Sequence, residues 1–217
     1  MDERQVKELI DRHRIIAIVR GVDAAHIIPT VQALYDGGIR LAEVTIDHDR
    51  DDAVGRTAAK IRAIRDAFGD EMCVGAGTVL TEQQVTAMVE AGAQYMISPH
   101  ADGNVIRRTK ALGKVSIPGA LTPTEAVAAH TAGADYVKLF PAGEIGIAYI
   151  KALMAPLRHI PMLAVGGVTA DNVKTFLQAG LAGVGVGGSL VSPTSIEAGA
   201  FDRIAAAAKQ FVHSINN

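Results

Sequence analysis

Short β-branched runs alternate along the chain with longer, alanine-rich amphipathic stretches. The runs cover 15–19 (IIAIV), 41–46 (LAEVTI), 73–77 (CVGAG), 95–98 (YMIS), 115–118 (VSIP), 136–140 (YVKLF), 162–166 (MLAVG) and 183–187 (GVGVG). Each has the length of a strand buried on both faces. The segments between them carry helical spacing, as in VDAAHIIPTVQALYDGG, TEQQVTAMVEAGA, TPTEAVAAHTAGA and TADNVKTFLQAGLAG. Thr81, Thr122 and Thr169 each precede an acidic or amide residue and read as helix N-caps. Ala-Gly and Gly-Gly pairs read as helix stops that lead into the next strand. Residues 2–12 (DERQVKELIDR) add an amphipathic helix before the first strand.

Alternating β and α elements predict a parallel sheet with right-handed crossovers, and eight units close into a (β/α)8 TIM barrel. An open dinucleotide-binding sheet would need G-x-G-x-x-G after the first strand. Arg20-Gly21-Val22 does not supply it. No linker-like stretch or composition shift appears, so residues 1–217 read as one domain.

Composition narrows the class. Hydrophobic residues make up 49% and aromatics only 4%, so the expected core is aliphatic. A net charge of −2 without a basic tail argues against a nucleic-acid or membrane-surface partner. No apolar run is long enough to span a bilayer and no secretory leader is visible, so a cytoplasmic protein is expected. One cysteine, Cys73, excludes an internal disulfide framework.

In a barrel the chemistry sits at the C-terminal ends of the strands. Lys138 lies inside YVKLF, on the face opposite Val137 and Leu139. Pointed into the barrel, it would be desolvated and its amine freed to attack a carbonyl; alternatively it is held in an ion pair. Glu43, inside LAEVT, follows the same alternation and would make an acid/base partner. The turns Gly166-Gly167 and Gly185-Val186-Gly187-Gly188-Ser189 follow the seventh and eighth runs, where barrels often hold phosphate on backbone N–H groups, with the Ser189 hydroxyl as a further donor. The N–H groups of Gly75-Ala76-Gly77 and the Thr78 hydroxyl are candidates for a carboxylate, and Arg20 for an anion at the mouth. His100 reads as a turn histidine. The run 47–52, from Asp47 to Asp52, is metal-like in composition but reads better as a solvated loop. The seven histidines are scattered without zinc spacing.

The ordered motifs E-V-T (from Glu43), VGAGTVLT (from Val74), ISPH (from Ile97), IPGALTPTE (from Ile117), VKLFPAG (from Val137), AVGGVT (from Ala164) and GVGVGGSLV (from Gly183) resemble the KDPG/KHG aldolases. The resemblance runs over about residues 6–213. It implies a class I, Schiff-base lyase that splits a 2-keto-3-deoxy-6-phospho sugar acid, of gluconate or galactonate type, into pyruvate and glyceraldehyde 3-phosphate. It implies no cofactor, a cytoplasmic homotrimer, and a place in Entner-Doudoroff-type carbohydrate metabolism. Carried over residue by residue, it makes Lys138 the imine nucleophile, Glu43 the acid/base and Thr78 a carboxylate contact. Gly166, Gly167, Gly187, Gly188 and Ser189 become the phosphate site. Two positions depart from the gluconate-type pattern. Asp47 stands where those members carry an arginine, and Val165 where they carry threonine. Val165 is as in galactonate-type members, and Arg20 resembles the arginine found in them, which would take over the anion binding that Asp47 cannot provide. The alternatives are a metal-dependent pyruvate aldolase using the 47–52 loop and a non-catalytic phosphosugar-binding barrel. The first does not explain a lysine within a strand, and the second needs neither Lys138 nor Glu43.

Overall fold

The computed structural model describes residues 1–216. Its strands are β1 (Ile15–Val19), β2 (Leu41–Thr45), β3 (Cys73–Gly77), β4 (Tyr95–Ile97), β5 (Val115–Ile117), β6 (Gly119–Ala120), β7 (Val137–Leu139), β8 (Met162–Val165) and β9 (Gly183–Val186). They form one parallel sheet in the order β5-β4-β3-β2-β1-β9-β8-β7-β6. β5 is the fifth predicted run, and β6 carries the same strand position on beyond the end predicted for it at Pro118. Pro118, which has no N–H for the ladder, separates them. The Pro118 carbonyl accepts from the Lys138 N–H at 2.8 Å, and the Ile117 carbonyl from the Ser98 N–H at 3.2 Å. The fifth run is therefore bonded on both sides, and the sheet closes as an eight-position barrel. Helices α1 (Glu3–His13), α2 (Ile27–Asp36), α3 (Ala53–Phe68), α4 (Glu82–Glu90), α5 (Gly103–Ala111), α6 (Pro123–Thr131), α7 (Ala142–Met154), α8 (Val173–Gln178), α9 (Pro193–Glu197) and α10 (Phe201–Asn216) complete the fold. No helix among the described residues is long and apolar enough to cross a membrane.

Two apolar layers follow from strand alternation. Ala42, Val44, Val137 and Leu139 face outward and pack with the helices. Ile16, Leu41, Cys73, Tyr95, Ile97, Val115, Ile117, Tyr136 and Leu163 form an inner cluster, which Val6 and Ile10 of α1 join. The extra N-terminal helix is thus the plug at the floor of the barrel. Asp2 caps it in a reciprocal box with Gln5. Polar ties fasten it: Lys7 and Lys110 meet the Asp135 carboxylate at 3.3 and 2.7 Å, Lys110 meets Glu3 at 2.7 Å, and the Tyr136 hydroxyl donates to Asp11 at 2.6 Å.

The helix ends hold two corrections. Thr81 and Thr122 cap α4 and α6 as expected, the latter with Pro123 in the first turn. Thr169 does not cap a helix. Its hydroxyl accepts from the Asn172 N–H at 3.3 Å across a single turn, and Asn172 is the residue that precedes α8. Likewise, the stretch expected to be helical from Val22 begins at Ile27, because residues 22–26 are held in a turn by Asp23, which accepts from the His26 N–H at 3.0 Å.

Candidate active site

Above the inner apolar cluster the barrel lining turns polar. Lys138 stands two residues after Tyr136 on the same inward face of β7, and its flanking residues Val137 and Leu139 belong to the outer layer. It is 5% exposed. Glu43, between outward Ala42 and Val44 on β2, is 1% exposed. Burial pushes the Lys138 amine below its ordinary range; the Glu43 charge opposes that and Arg20 adds to it. Burial pushes the Glu43 carboxyl up, against the attraction of Lys138 and Arg20. Desolvation thus outweighs mutual attraction on both sides. Glu43 Oε1 is buried without a hydrogen-bond partner among the described residues, a position an ordered water can satisfy.

A cavity of about 300 Å³ opens over Lys138, a size that suits a small metabolite. Its wall runs from Ile18 and Arg20 at the end of β1, past Lys138 and Phe140, to Val165, Gly166, Gly167, Val168 and Thr169 after β8 and Gly185, Gly187, Gly188 and Ser189 after β9. Both glycine turns therefore meet at one chamber with Lys138 and Arg20. Glu43 and Thr78 do not line this chamber. The Glu43 carboxylate lies against Gly77 and its charge acts on Lys138, while Thr78 follows β3 in a left-handed conformation with φ 57°. The Thr78 carbonyl is engaged by the His48 ring Nε2 at 2.8 Å.

The glycines have different reasons. Gly166 and Gly167 take φ of 90° and 71°, which favours glycine, and a Cβ on Gly166 would press on the Phe140 ring at 3.3 Å. At Gly188 a Cβ would meet nothing within 4 Å, and at Gly187 only Ile18 at 4.0 Å. The protein's own packing does not demand glycine there, whereas a ligand lying close to the backbone would. Gly75 and Gly77 lie within β3, as the third run predicts, and a Cβ would strike the Tyr95 ring at Gly75 and the Glu43 carboxylate at Gly77. Ser189 corrects the sequence reading, because its hydroxyl donates to the Val168 carbonyl at 2.7 Å and ties the two turns together.

Outside this chamber, His100 is exposed and its carbonyl accepts from the Gly119 N–H at 3.3 Å. Asp47 is paired with Arg50 at 3.0 Å, and the 47–52 loop gathers no group of three metal-ligating side chains among the described residues. Phe140 and Ile18 are the cavity residues that the sequence reading did not single out. Each lies two positions from a chosen residue on the same strand face, and that spacing was the available signal. The Phe140 ring is 41% exposed, with the Lys138 Nζ 5.0 Å from its centroid.

Comparison with known proteins decides the family. The profile of the KDPG and KHG aldolases matches residues 6–207. The chain belongs to this family. It is therefore a lyase of the aldolase type, and its family is one of class I aldolases, which work through a lysine Schiff base without a cofactor. It is 39% identical over 194 residues to a 2-dehydro-3-deoxy-6-phosphogalactonate aldolase of Escherichia coli (strain K12), covering 86% of this chain and 92% of that one. It is 34% identical over 208 residues to a 2-dehydro-3-deoxy-phosphogluconate aldolase of Treponema pallidum (strain Nichols), covering 94% of each. Among solved structures, a native KDPGal aldolase superposes with a TM-score of 0.83 at 38% identity, covering 93% of this chain and 94% of that one. A KDPG aldolase from Legionella pneumophila, with pyruvate captured as a covalent carbinolamine, superposes with a TM-score of 0.83 at 25% identity, covering 93% and 95%. The aldolase fold thus extends over nearly all of the barrel.

Proposed function

We propose that this aldolase cleaves a 2-keto-3-deoxy-6-phospho sugar acid to pyruvate and glyceraldehyde 3-phosphate through an imine on Lys138. The observation that carries the reading is a lysine, desolvated on a barrel strand, that opens into a chamber walled by two glycine turns and feels the charge of a buried glutamate. The Lys138 amine attacks the C2 carbonyl and water leaves, forming a protonated imine. Glu43, through a water at its unpartnered Oε1, takes the C4-hydroxyl proton as the C3–C4 bond breaks. The aldehyde departs and the bonding electrons pass into an enamine. A proton returned to C3 and hydrolysis of the imine release pyruvate and restore both side chains. Arg20 and Thr78 are assigned to the substrate carboxylate. Gly166, Gly167, Gly187, Gly188 and Ser189 are assigned to the phosphate, Ser189 by its main chain because its hydroxyl proton is already spent on Val168. The active assembly carried with this reading is a homotrimer in the cytoplasm.

Incubation with pyruvate followed by borohydride reduction and peptide mass spectrometry tests the assignment. The reduced adduct is expected on Lys138 and absent from Lys138→Arg, whose guanidinium stays protonated and forms no imine. An adduct on another lysine, or none, overturns it.

A further inference from the structure

Beside the Lys138 chamber, and sharing no lining residue with it, lies a second cavity of about 40 Å³. Gly21, Val22 and Asp23 after β1 form one wall. Thr45, Asp47 and Arg50 at the end of β2 form another, and Ala53, Arg56, Thr57 and Lys60 from the first turns of α3 close it. Three cations and two carboxylates therefore converge on a space the size of one small ion. Both carboxylates are already engaged. Asp23 accepts from the His26 N–H at 3.0 Å and faces its ring Nδ1 at 2.9 Å, and Asp47 accepts from Arg50 Nε at 3.0 Å. Arg56 and Lys60 are not. Among the described residues neither side chain has a hydrogen-bond or ion-pair partner, although they stand one turn apart on the same helix, where like charges repel. Arg56 is exposed and Lys60 half-buried; burial and the Arg56 and Arg50 charges push the Lys60 amine below its ordinary range, against the weaker attraction of Asp23 and Asp47, neither of which is in ion-pair contact with it.

We propose that this pocket is a binding site for one small oxyanion, phosphate or carboxylate, held by Arg56 and Lys60 with Arg50 at its edge. A bound anion would remove the repulsion between the two cations and replace the water that Lys60 has lost. The cavity has room for a free anion. The site adjoins Gly21, which follows Arg20, and Thr45, two positions after Glu43 on β2.

The test measures the melting temperature by circular dichroism at constant ionic strength, against inorganic phosphate in one arm and acetate in the other. The background is Gly188→Asp, which places a negative charge in the other anion cradle at a position with room for a side chain. A saturating rise of about 3 °C or more is expected, because a ligand that binds only the folded state stabilises it by mass action. Adding R56Q and K60Q, both good helix formers, should leave only the small linear rise that excluded salts give to any protein. Saturation with phosphate alone makes the ligand a phosphate, and saturation with acetate makes it a carboxylate. If Gly188→Asp folds poorly, the comparison is made without it, and R56Q/K60Q must weaken the apparent phosphate affinity tenfold or more. A saturating shift that survives R56Q/K60Q, or no saturating shift with either anion, overturns the proposal.

Discussion

Glu43 and Lys138 are two opposite charges placed where burial costs each more than the other returns. That imbalance has a measurable sign. The Glu43 carboxyl is raised in the fold, so above the ordinary glutamate range the native state holds the proton more tightly than the unfolded chain does. Stability is therefore lost as pH rises through the window between the unfolded and folded values. Glu43→Gln removes this term, so the variant should gain stability relative to the parent as pH climbs from about 4.5 towards neutrality, while losing most aldol cleavage. Urea denaturation at a series of pH values checks it. A variant less stable than the parent at neutral pH would show that attraction to Lys138, not desolvation, dominates the pair. At this scale the sequence was informative for some residues and silent for others. The alternation V-K-L and A-E-V put Lys138 and Glu43 on the inward face because that property is local. Why Gly75 and Gly77 are glycine was not legible, because the reasons, the Tyr95 ring and the Glu43 carboxylate, come from neighbours across the sheet. The same holds for Ser189, whose partner is a carbonyl 21 positions away.

At the scale of elements, every apolar run became a strand, since a run buried on both faces leaves little else for the chain to do. The helix starts were less legible. They depend on whether a side chain finds a helix N–H: Thr169 is spent on the turn before α8, and Asn172, the residue that precedes α8, makes no side-chain cap. α1 shows what an added element contributes. An amphipathic stripe told of a helix but not of its docking site, which the inner cluster and the Asp135 ties reveal as the barrel floor. Ile10 is 1% exposed within that cluster. Ile10→Ala is expected to cost about 2–5 kcal/mol of folding stability, by lost burial plus the cavity left behind. Because the plug lies below Tyr136 and the chemistry above it, KM should change little while the denaturation midpoint falls. A midpoint within experimental error of the parent would show that α1 is an appendage and not part of the core.

For the molecule as a whole, chamber and barrel are one object, in which the apolar floor, the charged pair and the glycine turns follow one another from the N-terminal to the C-terminal end. The wall between Lys138 and the turns bears on which sugar acid the chamber prefers. That wall is apolar: Ile18 and Val165 are 7% and 6% exposed, and a Cβ on Gly185 would come within 2.9 Å of Val165 and 3.4 Å of Ile18. Relatives of both substrate types match over most of the chain, so resemblance of the barrel does not choose between them. Val165 has no group to bond a substrate hydroxyl, and a pocket of this kind discriminates only about 10–200-fold, whereas one that hydrogen-bonds the hydroxyl discriminates far more. Asp47, tied to Arg50, offers the substrate carboxylate no cation of its own, which leaves Arg20 in the chamber for that role. The 6-phosphogalactonate epimer of the keto-deoxy acid should therefore be cleaved with kcat/KM comparable to, or above, that of the gluconate epimer. Val165→Thr should move the ratio towards gluconate, and Arg20→Ala should raise KM for both. Coupled pyruvate release on the two epimers measures all three. A preference of about 100-fold or more for the gluconate epimer, together with a kinetically silent Arg20→Ala, would mean that a polar group outside this wall reads the hydroxyl and that the carboxylate is held elsewhere.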